Sequence, residues 1–81
     1  MEQTTDLDRI DKALGERIVA LRSARGLKQK DVVRDTGLSQ RQCTSIEHGR
    51  ASPLWRTLVK IAAALAVPWT ELVDFEVPHA Q

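Results

Sequence analysis

Apolar positions recur along this chain at helical spacing, and strand-like alternation is absent. Leu7, Ile10, Leu14, Ile18 and Leu21 follow one another at intervals of 3, 4, 4 and 3, the stripe of one long amphipathic helix. Thr5 or Asp6 can cap its start, and Gly26 ends it. Gly15 falls inside the stripe, where glycine costs up to about 1 kcal/mol relative to alanine, leaving open whether the first two turns are a separate or frayed piece. A second helix fits residues 29–36 before Gly37, and a third fits 40–48 before Gly49. Ser39 and Gln42 have the spacing of a capping box at the start of the third. "SPLW" opens a fourth, with Ser52 as cap and Pro53 at the first helical position, where a missing N–H is no loss. Leu54, Leu58, Ile61 and Leu65 then supply its buried stripe. A fifth, short helix follows at "PWTELVD", again opened by a proline. No Asn-Gly or Asp-Gly turn sits between alternating runs. The expected fold class is all-α: five helices in one domain over residues 1–81, with a core of about 7–75 and loose termini at 1–5 and roughly 77–81.

Composition narrows the class. Eighty-one residues allow one small domain, burying only about 60–65% of the surface its unfolded chain exposes. Hydrophobic residues at 42% and charged ones at 28% suit a folded globular chain rather than a disordered one. The apolar run from Ile61 to Pro68 is far short of the roughly 18 residues a membrane span needs, and no basic-then-apolar leader precedes Leu7, so a cytoplasmic, nucleoid-associated protein is expected. The single cysteine, Cys43, offers neither a disulfide nor metal-ligand spacing. It is better read as a small core residue under the third helix than as a redox switch.

Net charge is only +1, but its distribution is lopsided. Residues 17–60 hold ten Lys or Arg against three acids, a net +7, while the remaining acids gather at the two ends. A polyanion-binding face and a merely solvated helical surface both fit that pattern.

The two short helices around "TGLS" form a helix-turn-helix, with Gly37 in the turn and Leu38 directed to the core. "LGERIVALRSARGLKQKDVV", "GLSQRQCTSIEHGRASP" and "LVKIAAALAVPWTEL" together resemble the DNA-binding domain of the Cro and phage-repressor family, also called the xenobiotic-response-element family, over about residues 14–73. The resemblance implies a lambda-repressor-like fold and a double-stranded DNA operator as partner. It implies that Gln29 bonds a phosphate and braces Gln40, eleven positions on, at a base edge. Gln pairs bidentately with adenine and Arg with guanine, so Gln40, Arg41 and Gln42 are candidate base readers, with Thr44 and Ser45 secondary. For Gln42 the capping box is an equal alternative. Arg22 and Glu47 match a family ion pair and are expected to be structural. Lys28, His48, Arg50 and Ser52 are expected phosphate contacts, Lys28 foremost among the basic residues beside the second helix. Lys28 stands where the family usually carries a capping Ser or Thr, and Ala66 where it usually carries Gly.

Trp55, Val59, Trp69, Val73 and Phe75 exceed what one small core readily absorbs. A homodimer would cover them, setting two recognition helices about 34 Å apart on a pseudo-palindromic operator. At least one tryptophan is nonetheless expected in the monomer core. The chain is nearly all DNA-binding domain, so no small-molecule ligand, cofactor or metal is expected. Among small regulators of this kind a restriction-modification controller is favoured over a Cro-like repressor or an autoregulating antitoxin. The alternative from another class is an antitoxin or protein-interaction module acting through its C-terminal surface. An enzyme is not expected: Cys43 and His48 lie about 140° apart around one helix with no third orienting group, and His79 adds nothing as a metal ligand.

Overall fold

The computed structural model describes residues 6–75, so the expectations for the two termini, for Thr5 and for His79 lie outside the described residues. The described chain is all-helical: α1 (Leu7–Ala24), α2 (Gln29–Thr36), α3 (Gln40–Glu47), α4 (Trp55–Ala64) and α5 (Trp69–Leu72). Asp6 caps α1, accepting from the Arg9 amide at 3.2 Å. α1 packs mainly on α3, α2 bridges α3 and α4, and α5 closes against α4 and α1. The core draws on every helix: Leu14 and Ile18, Val32, Cys43 and Ile46, Ile61 and Leu65, then Val67 and Leu72. Ile18, Ile61, Leu65 and Leu72 are fully buried, each a contribution of about 1.5–3 kcal/mol from the apolar surface removed from water.

α1 runs unbroken through Gly15, because that glycine serves packing rather than a helix break. It is buried against the end of α3, and a Cβ there would lie 2.6 Å from the Ile46 carbonyl oxygen and closer still to that of Glu47. The α1 and α3 backbones approach as they do only because no side chain intervenes. Gly49, at φ +72°, makes a second close approach, facing the Lys12 backbone on α1.

α4 begins two residues later than the sequence suggests. Its N-cap is Leu54, which makes no side-chain cap bond. Ser52 instead donates its hydroxyl to the Asp11 carboxylate at 2.6 Å, a contact across 41 residues that removes it from the capping role. Pro53 consequently lies in the loop, and Leu54 leaves the expected buried stripe, being 71% exposed. Both tryptophans are exposed as well, Trp55 by 56% and Trp69 by 43%, against the expectation that one completes the core. They meet edge-on, ring centroids 4.7 Å apart. Phe75, expected on the outer face, packs against the core instead.

After α4 the chain turns through Ala66 at φ 57°, the left-handed region that disfavours a side chain. Arg25 reaches over from the end of α1 and donates to the Leu65 and Ala66 carbonyls. Two substitutions should move stability in opposite directions. Gly15→Ala should destabilise the fold by about 1–3 kcal/mol through overpacking, in spite of alanine's better helix propensity. Ala66→Gly should stabilise it by about 0.5–1 kcal/mol by relieving the αL alanine. Urea unfolding midpoints followed by circular dichroism check both.

Candidate nucleic-acid interface

α2 and α3 meet through a three-residue turn. Gly37 caps α2 at φ 77°, donating to the Val33 carbonyl. The Thr36 hydroxyl donates to Val32 O at 2.7 Å and accepts from the Leu38 amide at 3.2 Å, latching the turn as Leu38 packs on the core. Ser39 then starts α3. Its hydroxyl accepts from the Gln42 amide at 3.0 Å, while Gln42 Oε1 accepts from the Ser39 amide at 2.9 Å. The box is closed in both directions, so the carbonyl end of Gln42 is occupied by capping and only its NH2 remains unengaged.

Beneath α3 lies a continuous hydrogen-bonded chain. Arg22 donates from Nε and Nη2 to the two oxygens of Glu47 at 2.9 and 3.1 Å, and from Nη1 to Leu27 O at 3.0 Å. Glu47 is 8% exposed. Gln29 Nε2 donates to Glu47 Oε1 at 3.0 Å. The Gln29 carbonyl oxygen accepts from Gln40 Nε2 and, at 3.0 Å, from the Thr44 hydroxyl. The family resemblance implied the pairs Gln29–Gln40 and Arg22–Glu47; the structure joins the two pairs through Gln29 and adds Thr44.

The remaining candidates sit around this chain. Gln40, Arg41 and Gln42 are exposed at the start of α3, and Ser45 is half-buried. His48 caps the end of α3 and Arg50 anchors the following loop through its amide on Ser45 O at 2.9 Å, both with exposed side chains. Ser52 is held by Asp11, as described. Lys28 caps α2 with no side-chain bond, and the capping function passes to Asp31, whose carboxylate accepts the Lys28 amide at 2.8 Å. That bond does most to hold the Asp31 carboxyl below its ordinary value, with Arg34 adding in the same sense. An acid three residues into the helix was the available sequence signal for this substitute cap.

The basic middle is less free than its count suggests. Arg17 donates to Glu71 O at 2.8 Å, Arg22 and Arg25 are engaged as above, and Arg34 pairs with Asp31 and Asp35. Lys28, Lys30, Arg41 and Arg50 make no ion pair among the described residues and are exposed on α2, α3 or the segments that flank them. A depression of about 390 Å³ separates the start of α3 from the start of α4, lined by Ser39, Arg41, Ser45, Ser52 and Thr57 among others. Thr57 was not anticipated, because its place depends on where α4 begins. No metal-binding cluster of His, Cys, Asp or Glu occurs among the described residues, and no described helix is long and apolar enough to cross a membrane.

Comparison with known proteins agrees with this geometry. A family described as a helix-turn-helix domain matches residues 13–75. An uncharacterized HTH-type transcriptional regulator, y4dJ of Sinorhizobium fredii, is 40% identical over 62 residues, covering 76% of this chain and 80% of its own. Among solved structures, the restriction-modification controller protein C.AhdI from Aeromonas hydrophila superposes with a TM-score of 0.74 at 29% identity, over 76% of this chain and 94% of that one. An HTH_3 family transcriptional regulator from Vibrio cholerae gives 0.76 at 29% identity, over 82% of this chain and 37% of that one.

Two outcomes follow for the buried groups. Glu47→Ala should cost about 3–5 kcal/mol of stability, since it strands the Arg22 guanidinium without its partner; chemical denaturation measures it. Burial, and secondarily the Glu47 charge, push the Cys43 thiol up from its ordinary value. The folded state therefore keeps its proton where the unfolded state has lost it. Stability from this group is complete below the unfolded thiol's pKa of about 8.5 and declines as pH rises above that. The urea midpoint should fall less steeply above that pH in Cys43→Val than in the wild type.

Proposed function

The chain belongs to the helix-turn-helix family of DNA-binding transcriptional regulators, and from that premise we propose that it binds a pseudo-palindromic operator as a homodimer and regulates its own expression, in the manner of a restriction-modification controller. The observation that carries the DNA-reading part is the start of α3: three exposed polar side chains at a capped helix tip, one of them braced from below by Gln29. A helix end of this width enters the major groove, where an amide or a guanidinium can meet base edges. In this reading Gln40 and Arg41 are the main base contacts. Gln42 contributes through its free NH2, and Thr44 and Ser45 serve one turn further on. Thr44 gives its hydroxyl proton to Gln29, which leaves its methyl as the group suited to a thymine methyl.

Phosphates are assigned to the flanks. Lys28 and the first amides of α2 face one strand, where the helix N-terminus favours an anion. Gln29 keeps one N–H beyond the one given to Glu47. His48 and Arg50 clamp from the loop after α3, with Ser52 a weaker contact because Asp11 already holds its hydroxyl.

The homodimer rests on the outer face of α4 and α5. Trp55, Val59, Trp69 and Val73 are all more than a third exposed, and the two tryptophans are already in mutual contact. Such a patch is better covered than left in water. Phe75 supports it from the core side. The likeness in fold to the controller protein, over 94% of that chain, supports that subtype.

Fluorescence anisotropy with random and selected duplexes at two salt concentrations tests this reading. Raising salt from 50 to 200 mM should weaken binding more than tenfold. Arg41→Ala should cost about 1–3 kcal/mol at one base pair, whereas Lys28→Ala should weaken all sequences alike and flatten the salt slope by about one unit. No binding at micromolar protein would exclude the DNA role and turn attention to the apolar face as a site for a partner protein. Sedimentation should show a dimer in the wild type that Trp55→Ser shifts toward monomer; a monomeric wild type bound to a single half-site would overturn the homodimer.

A further inference from the structure

The hydrogen-bonded chain from Arg22 to Gln40 has a direction, and that direction decides what Gln40 can show to a base. Glu47 is a carboxylate facing a guanidinium, and a carboxylate only accepts. The end of the Gln29 amide that meets it at 3.0 Å must therefore be the NH2. Its carbonyl oxygen must then face the opposite way, where it takes donors from both Gln40 and Thr44. Gln40 is thus obliged to turn an N–H inward. A primary amide has one oxygen and two N–H groups, so what remains toward the groove is one acceptor beside one donor.

Adenine is the base complementary to that edge, with its N6 amino donor next to the N7 acceptor. Guanine offers two acceptors, O6 and N7, and would set one of them against the Gln40 oxygen. A chain running in the opposite sense would have the Gln40 oxygen accept from Gln29 and would turn both N–H groups outward, the pattern that suits guanine. We propose that Glu47, acting through Gln29, fixes the polarity of the Gln40 amide and makes it a reader of adenine against guanine. The proposal rests on the assignment of Gln40 as a base contact. Glu47 touches no DNA in this account; it is a positioning residue, with specificity as its readout in addition to the fold. The Thr44 hydroxyl, which can donate or accept, follows the polarity that Glu47 sets and donates to the same Gln29 oxygen.

Duplexes selected by the full chain from a random pool supply the probe, and Gln40→Ala identifies the base pair whose preference depends on Gln40. At that pair the wild type should favour adenine over guanine by roughly tenfold or more. It should also lose affinity when the adenine is replaced by purine, which lacks the amino group, or by 7-deazaadenine, which lacks N7. Glu47→Gln gives Gln29 a partner that can donate as well as accept. The adenine-to-guanine ratio should then fall toward one, while the preference at the Arg41 pair stays. A purely structural role for Glu47 would instead weaken all duplexes alike and leave the ratio unchanged.

Because Glu47→Gln deprives Arg22 of its counter-charge and can unfold the chain, Gln29→Met provides the second arm with the ion pair intact. It frees the Gln40 amide to rotate, and the same ratio should again approach one. A wild-type ratio in Gln29→Met, or in a Glu47→Gln variant shown by circular dichroism to be folded, overturns the proposal. If Gln40→Ala alters preference at no position, the base-contact assignment itself fails and this inference fails with it. If Gln40→Ala alters preference and Gln29→Met does not, the polarity inference alone is lost.

Discussion

A single buried carboxylate organises this molecule. Glu47 ends α3, is almost wholly removed from water, and takes three donors from two other helices: two from Arg22 on α1 and one from Gln29 on α2. A buried ion pair of this kind adds little net stability over a well-packed apolar substitute, because desolvation offsets much of the attraction. What it provides is geometry. Three helices are referenced to one pair of oxygen atoms, and the bidentate fork of the guanidinium fixes orientation as well as distance. No buried side-chain nitrogen or oxygen among the described residues lacks a partner, so the polar network is complete and loses nothing to unpaired groups.

The close approach of α1 to α3 is the apolar counterpart of that pair. Gly15 lets the α1 backbone come against the carbonyls of Ile46 and Glu47, and Gly49 does the same against Lys12. Leu14 and Ile18 flank Gly15 with buried apolar surface, so the helix is held there by packing on both sides. The cost of glycine in a helix is about 1 kcal/mol, small beside the overlap any larger residue would create. Backbone contact and ion pair act on the same end of α3, leaving its other end to the capping box and to solvent.

Much of this was legible in the residues, where local rules with fixed spacing operate. The Ser39–Gln42 box and the bounds of α2 depend on residues a turn apart, and the sequence carries them directly; the pairing of Gln29 with Gln40 was implied by the family resemblance. The misreadings share one cause, which is contact between residues distant in sequence. Ser52 looked like a cap until Asp11, 41 residues earlier, took its hydroxyl. Leu54 looked buried because its spacing fits a stripe, but α4 begins only after it. Gly15 looked like a weak point because its neighbour on α3 cannot be seen from α1 alone. The basic surplus of the middle segment looked available apart from Arg22, yet Arg17 and Arg25 are also turned inward, to backbone carbonyls. An outer apolar face was expected, but not that both tryptophans would lie on it, since hydrophobicity states a preference for burial without saying in which molecule.

Those inward arginines bear on how the exposed tip of α3 and the apolar face of α4 and α5 are kept in register. Ala66 turns the chain between α4 and α5 in a conformation that disfavours alanine by about 1–2 kcal/mol, so the corner is not specified locally. Arg25 donates to the carbonyls at that corner, where the negative end of the α4 dipole favours a cation, and Arg17 donates to Glu71 on α5. Both arise from α1, as does Arg22. The apolar face of α4 and α5 and the exposed tip of α3 are joined through α2, which packs on both α3 and α4. α1 adds a second tie, packing on both α3 and α5, with Arg22 lying between the two other arginines. A change in the α1 backbone would be felt both at the exposed tip of α3 and at the apolar face of α4 and α5, while α2 ties the same two faces by a separate route. With two helices each tied to both faces, the placement of one face relative to the other is a property of the packed core instead of a sum of independent loop geometries.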